Sequence, residues 1–193
     1  DVTRDKKIES FVNSLGMTMV RIPAGSFIMG SSETDIAWAM GTLAQGLPVS
    51  LENEFPFHKV RITRPFFMAA TPVTVGQFRK FVADTGYVTD AEAEKGGQVL
   101  NKENGRFTKK DGTSWKDPGW QVTDDQPVTM VSWDDAQAFV EWLAAKEKLP
   151  YKLPTEAQWE YAARGGLSMS HFPWGDAPPD GRRANYADNA SGL

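Results

Sequence analysis

Apolar residues recur at Ile8, Phe11, Val12 and Leu15, the i, i+3, i+4, i+7 spacing of one helix face, and Gly16 ends the run. An N-terminal helical lead-in over residues 1–15 is expected. Met17 to Ile22 reads as a buried strand stopped by Pro23. Ser26 to Met29 reads as its hairpin partner across the turn Ala24-Gly25. Ser31 to Ser50 is ambiguous: Ile36, Trp38, Met40 and Leu43 suit a helix, while Gly41, Gly46 and Pro48 oppose one. His58–Ile62 and Phe66–Met68 are strand-like runs split by Pro65. Thr74 to Thr85 predicts a helix, with Thr74 and Gln77 as a capping box, Val75, Phe78, Phe81 and Val82 as its stripe, and Gly86 as its stop. Residues 88–125 are polar and irregular, a long surface excursion or functional loop. Ser132 to Lys148 predicts the clearest helix: Ser132 caps it, Asp134 and Asp135 suit the positive end of its dipole, and Ala136, Phe139, Val140 and Leu143 face inward. A further helix follows Thr155, with Gln158 at the third position and Gly165-Gly166 as the stop. Three or four helices among short strands and much loop give an α+β class with no βαβ alternation.

The 193 residues can bury roughly 70% of their unfolded surface. Apolar residues at 40% and charged residues at 24% exclude wholesale disorder. No apolar run approaches the ~20 residues of a membrane helix, so no membrane insertion is expected. A net charge of −4 argues against a nucleic-acid partner. The absence of cysteine excludes disulfides, thiolate metal sites and cysteine catalysis within these residues.

Few residues carry recognisable chemistry. His58 and His171 are the only histidines and lie more than 100 residues apart, so a shared metal site is not expected. Glu156 and Glu160 are spaced i, i+4 and could form an acid–base pair; a solvated face with Glu160 near Arg164 is the plainer reading. The cluster Asn185-Tyr186-Ala187-Asp188-Asn189 offers oxygens of the kind Ca²⁺ takes at about 2.3–2.6 Å, and the same residue types make plain turns. The chain has seven tryptophans, of which Trp115, Trp120 and Trp174 fall in loop-like segments. They are candidates for the wall of a binding groove, or for plugs in a loop-rich core.

Several segments, in order, resemble one family. They are Gly16-Met17-Thr18-Met19-Val20-Arg21-Ile22-Pro23-Ala24-Gly25-Ser26-Phe27, then Pro72-Val73-Thr74-Val75-Gly76-Gln77-Phe78, then Val131-Ser132-Trp133-Asp134-Asp135-Ala136. Leu153-Pro154-Thr155-Glu156-Ala157-Gln158-Trp159-Glu160-Tyr161 follows, and Phe172-Pro173-Trp174-Gly175-Asp176 closes the set. Together they resemble the formylglycine-generating enzyme (sulfatase-modifying factor) family, from about residue 16 to 187.

The resemblance implies a C-type-lectin-like variant fold with little regular structure, in which the helices at Thr74–Thr85 and Ser132–Lys148 pair. Residues 16–193 would form the domain, expected to be incomplete on its C-terminal side. Family members oxidise a sulfatase cysteine to formylglycine with O₂ and copper held by two cysteines, so no catalytic residue is expected within this chain. The resemblance also implies Ca²⁺ held by the Asn185 side chain and the Tyr186 carbonyl. A second family Ca²⁺ site is not expected, because Pro72 stands where that site uses Glu. The implied partner is a sulfatase-like protein or peptide, with the chain's own C-terminal fragment conceivable as a second polypeptide. The alternative is a non-catalytic module binding protein, peptide or glycan; a relative of the ergothioneine-type sulfoxide synthases would need a histidine cluster that is absent here. Ca²⁺ use suits a periplasmic or secreted protein, with a cytoplasmic one not excluded. A chain ending at Leu193 is expected to leave the apolar faces of the two paired helices uncovered.

Overall fold

A computed structural model describes residues 9–42, 51–101, 106–168 and 170–184. The elements in chain order are β1 (Ser10–Val12), β2 (Thr18–Ile22), β3 (Gly25–Met29), α1 (Glu33–Thr42), β4 (His58–Ile62), β5 (Phe66–Ala69) and α2 (Val75–Thr85). They continue with α3 (Asp90–Ala93), β6 (Gly96–Asn101), β7 (Arg106–Asp111), α4 (Trp133–Glu147) and α5 (Glu156–Arg164). The result is the α+β class, with small sheets and few helices. The chain divides into two compact units. The first comprises Asp1–Ala24 and Arg64–Pro154, the second Gly25–Thr63 and Thr155–Leu193.

The first unit holds an antiparallel sheet of order β1-β2-β5 and a separate β6-β7 hairpin. The expected helix at the N-terminus is not formed in the described residues, where Ser10–Val12 is a strand. Asn13 explains why: its Oδ1 accepts from the Leu15 and Met17 amides at 3.0 and 2.9 Å and turns the chain before a helix could propagate. Phe11 then stacks edge-on against Phe67 at 5.1 Å. The expected pairing of Met17–Ile22 with Ser26–Met29 is also overturned, since β2 pairs with β1 and β5 while β3 pairs with β4. No residue between Pro23 and Gly25 has the positive φ that a tight two-residue hairpin turn demands.

The paired helices form as expected. Thr74 and Ser132 each make a full capping box, with Gln77 and Asp135, and Gly86 takes the left-handed conformation after α2. Their apolar faces are covered, contrary to expectation: Val75, Phe78, Phe81, Phe139 and Leu143 are all buried. Phe78 lies at the centre of an aromatic cluster, 5.3 Å from Phe81, 5.3 Å from Trp115 and 5.9 Å from Phe139. Residues 88–125 hold more order than their composition suggests. Thr89 and Glu92 form another capping box, which starts the single turn α3, and β6 and β7 pair in antiparallel register from Gly96↔Asp111 to Asn101↔Arg106.

Two polar arrangements lock this unit, one around a buried carboxylate and one nearer the surface. Asp135 is 0% exposed, and its carboxylate accepts from Ser132 N at 2.8 Å, Tyr87 Oη at 3.1 Å and Asp90 N at 3.2 Å. Glu147 accepts from the Ser14 amide at 2.8 Å and from Tyr151 Oη at 2.6 Å. Burial, and the carboxylate each phenol donates to, push both Tyr87 and Tyr151 up to about 12. A raised phenol favours the folded state while neutral. This contribution is therefore full below the ordinary tyrosine value near ~10 and is lost as pH rises from there towards 12. Urea midpoints measured at stepped alkaline pH are expected to fall across that window. The Tyr87→Phe, Tyr151→Phe double variant is expected to fall less steeply, and an identical slope would refute the assignment.

Candidate functional site

The second unit is built on the β3-β4 ribbon, registered from Gly25↔Ile62 to Met29↔His58, with α5 packed on both strands. Thr155 caps α5 through a capping box with Gln158, and Gly165 ends it in the left-handed conformation, both as the sequence predicts. Two glycines permit the packing. A Cβ at Gly25 would lie 2.3 Å from Tyr161 Oη, and one at Gly30 would lie 2.3 Å from the Glu54 carbonyl oxygen. Gly30 also has φ +85°, a conformation that disfavours any other residue.

Glu160 and Arg164 grip that glycine from one turn of α5. Arg164 donates to Glu160 Oε1 through Nε at 2.8 Å and through a terminal nitrogen at 2.6 Å. Glu160 accepts from the Gly30 amide at 3.1 Å, and Arg164 donates to the Gly30 carbonyl at 3.0 Å. The ion pair read from the i, i+4 spacing exists, and it holds a backbone turn rather than lying idle in solvent. Glu160 is thereby committed, so it and Glu156 do not make an acid–base pair.

Beside this grip lies an open cavity of about 770 Å³, formed wholly from second-unit residues. Phe27, Trp38, Phe57, Trp159 and Phe172 supply its apolar wall. Its polar rim includes Asp35, Lys59, Glu156 and His171. His171 stacks on Trp38 with ring centres 3.8 Å apart, and its ring nitrogens stand 3.8 Å from Asp35 and 3.4 Å from Asp176. Hydrogen bonds from Ser32 hold the Asp35 carboxyl below the usual carboxylate range, with the His171 and Arg164 charges adding to the effect. The cavity thus sets an aromatic wall beside four charged or titratable side chains, while Glu160 is held by Arg164 and the Gly30 amide.

The tryptophans singled out as groove wall separate. Trp115 is corrected: at 1% exposed it lies in the first unit's aromatic core, its indole nitrogen donating to Glu92 at 3.2 Å, and no ring face is left for a ligand. Trp120, also in the first unit, is 54% exposed. Trp174 is in the second unit, half-buried, stacked on Phe172 at 5.0 Å and donating to the Ala177 carbonyl at 2.9 Å. Asn185, Tyr186 and Asp188 lie outside the described residues. Among the described residues no group of three or more His, Cys, Asp or Glu could hold a metal ion. The cavity's own aromatics, Trp38 and Trp159, were not singled out by sequence. Trp159 sits inside the most distinctive run of the chain, yet it is 62% exposed, and that exposure has no sequence signal.

Comparison with known proteins places the chain. The model of the sulfatase-modifying factor enzyme 1-like domain matches residues 6–191. A formylglycine-generating enzyme of Streptomyces coelicolor is 36% identical over 183 residues, 85% of this chain and 52% of that protein. An "Inactive C-alpha-formylglycine-generating enzyme 2" of Bos taurus is 30% identical over 184 residues, 85% of this chain and 54% of that protein. Among solved structures, PvdO from Pseudomonas aeruginosa superposes with a TM-score of 0.60 at 25% identity, covering 84% of this chain and 53% of that one. The chain thus spans about half the length of these relatives. The copper-binding cysteine pair implied by the resemblance does not fit these residues, which contain no cysteine. With nearly every residue inside the domain model, the chain belongs to the sulfatase-modifying factor enzyme 1-like family.

Proposed function

We propose that these residues are the scaffold portion of a protein-modifying oxidase that converts a sulfatase cysteine to formylglycine. The reacting centre is supplied by polypeptide outside the 193 residues. One observation carries this reading: the family match runs through residues 6–191, and no thiol lies within them. The test is a sulfatase-derived cysteine peptide incubated under air with copper, with the product aldehyde captured by a hydrazide probe. The chain alone is expected to leave the peptide unchanged. Co-expressed with the part of the Streptomyces coelicolor relative that it does not match, it is expected to convert the peptide. A stable complex that converts nothing would overturn the reading. The second reading, a non-catalytic module for protein, peptide or glycan, is favoured by the 30% identity to a relative whose name marks it inactive. Such a complex would support it.

Ca²⁺ is the cofactor we propose for this chain's own residues. The Asn185 amide oxygen, the Tyr186 carbonyl and the Asp188 carboxylate are the hard oxygen donors that this ion selects. It would brace the segment that carries them, and it suits a periplasmic or secreted location. Free Ca²⁺ at ~100 times its Kd is expected to raise Tm by about 5–10 °C over an EGTA-treated sample. Equal melting curves would remove Ca²⁺ from the account.

A further inference from the structure

In the first unit, β6 and β7 form a sheet of two strands, and no third described strand pairs with either. Every residue of β7 is exposed. The register fixes which of its backbone groups look outward. The Gly112 amide donates to the Lys95 carbonyl at 2.9 Å, one step beyond the Gly96↔Asp111 pair. Antiparallel pairs alternate between bonded and non-bonded, so Val99↔Thr108 and Asn101↔Arg106 are bonded pairs. Phe107 and Lys109 belong to the alternate pairs, and their amides and carbonyls point away from β6. On one face of the ribbon Phe107 stands directly opposite Leu100, the two being 69% and 54% exposed. Phe107 is the most exposed large apolar side chain among the described residues. Lys109 lies two positions along the same face, and its ion pair with Glu94 at 3.6 Å is open to solvent on both sides. β7 as a whole carries Arg106, Lys109 and Lys110 against Asp111 alone, in a chain of net charge −4.

We propose that the outer edge of β7 binds an extended acidic segment of a partner protein by antiparallel strand addition. Main-chain hydrogen bonds to Phe107 and Lys109 supply the ladder. An apolar residue of the segment lies beside Phe107, which Leu100 backs from the far side, and carboxylates face Lys109 and Lys110. Charge selects this occupant over a second copy of the chain. An antiparallel pair of β7 strands centred on Lys109 sets that lysine against its own copy, and one centred on Thr108 sets Arg106 against Lys110. Like charges directly opposite each other destabilise both registers. Edge lysines thus repel another β7 and accept an acidic strand. This edge belongs to the first unit and does not rest on the scaffold reading, so either can fail alone.

The probe is a fluorescein-labelled peptide, Glu-Glu-Val-Phe-Glu flanked by serines, titrated with the 193-residue chain and followed by fluorescence anisotropy. In the antiparallel register its second Glu stands opposite Lys109, its Val opposite Thr108 and its Phe opposite Phe107. Saturable binding is expected. N-methylation of the second Glu and the Phe, whose amides meet β7, is expected to weaken binding by about tenfold or more. N-methylation of the Val, whose amide points to solvent, is expected to change it by less than about twofold. The Lys109→Glu, Lys110→Glu variant is expected to lose about tenfold or more in affinity and to gain a peptide with Lys in place of each Glu. Amide exchange resolved by NMR is expected to be fast at Phe107 and Lys109 in the chain alone, and about tenfold or more slower with saturating peptide. Absence of saturable binding, or a charge-reversed variant of undiminished affinity, would overturn the proposal. Equal binding by the two N-methylated forms would also overturn it, leaving charge attraction without a strand. Phe107 and Lys109 amides already slow in the chain alone would assign the edge to this chain's own residues, and slowing that tracks chain concentration would assign it to a second copy.

Discussion

Trp115→Ala is expected to destabilise the chain by about 3–5 kcal/mol, the range for deleting a buried aromatic from a packed core. The indole is 1% exposed, meets Phe78 edge-on at 5.3 Å and donates to Glu92 at 3.2 Å. Its removal opens a cavity beside Phe78 and leaves Glu92 without one of its donors. Arg79 and Lys116 also stand over the ring, at 5.7 and 5.4 Å from its centre, and lose that contact. Trp120→Ala is the matched control: with its ring 54% exposed, it is expected to change stability by no more than about 0.5 kcal/mol. Urea unfolding followed by near-ultraviolet circular dichroism reads both. A Trp115→Ala loss below about 1 kcal/mol would return that residue to the list of surface candidates.

Asp135→Ala is expected to cost about 3 kcal/mol, the second-largest single effect. The change removes the reciprocal half of the α4 capping box and leaves the Ser132 amide, the Tyr87 hydroxyl and the Asp90 amide without the acceptor that the buried carboxylate supplies. Asp135→Asn keeps one oxygen and the shape, and it is expected to recover about half of the loss. Asp134→Ala, one residue earlier and exposed, is expected to cost only a few tenths of a kcal/mol through the helix dipole. Equal losses at Asp134 and Asp135 in the same urea series would refute the special role of the buried carboxylate.

These two residues also mark what the sequence discloses. The Ser132 to Asp135 spacing announces a capping box, and the box forms. That the same carboxylate reaches Tyr87 and Asp90, more than 40 positions away, follows from α2 and α4 packing together and has no local signature. The same divide runs through the fold. Capped helices with an apolar stripe are legible because cap, stripe and stop are all local. Strand partners are not: Met17–Ile22 chose β5, 44 or more positions on, over the nearby Ser26–Met29. β7 could not be seen at all, since every one of its residues is exposed and no alternation remains. At the candidate site, Glu160 and Arg164 were visible as a pair, while their grip on Gly30 was hidden by a separation of at least 130 residues. Trp115 misled for a simpler reason. A loop can carry a side chain into a core as readily as to a surface, and the residue type is the same in both cases.

The Gly30 grip has a consequence for synthesis on the ribosome. β3 and β4 are translated by Ile62, but the helix that clasps them ends at Arg164, about a hundred residues later. At the usual ~5–20 residues per second, that helix arrives roughly 5–20 s after the ribbon, and the first unit's paired helices are made in the interval. The ribbon waits in the open, with Phe27 lacking Tyr161 and the Gly30 amide and carbonyl lacking their partners. The first unit can therefore condense cotranslationally, while the second is the stage at which a stalled or cleaved nascent chain presents an unclasped strand pair to chaperones.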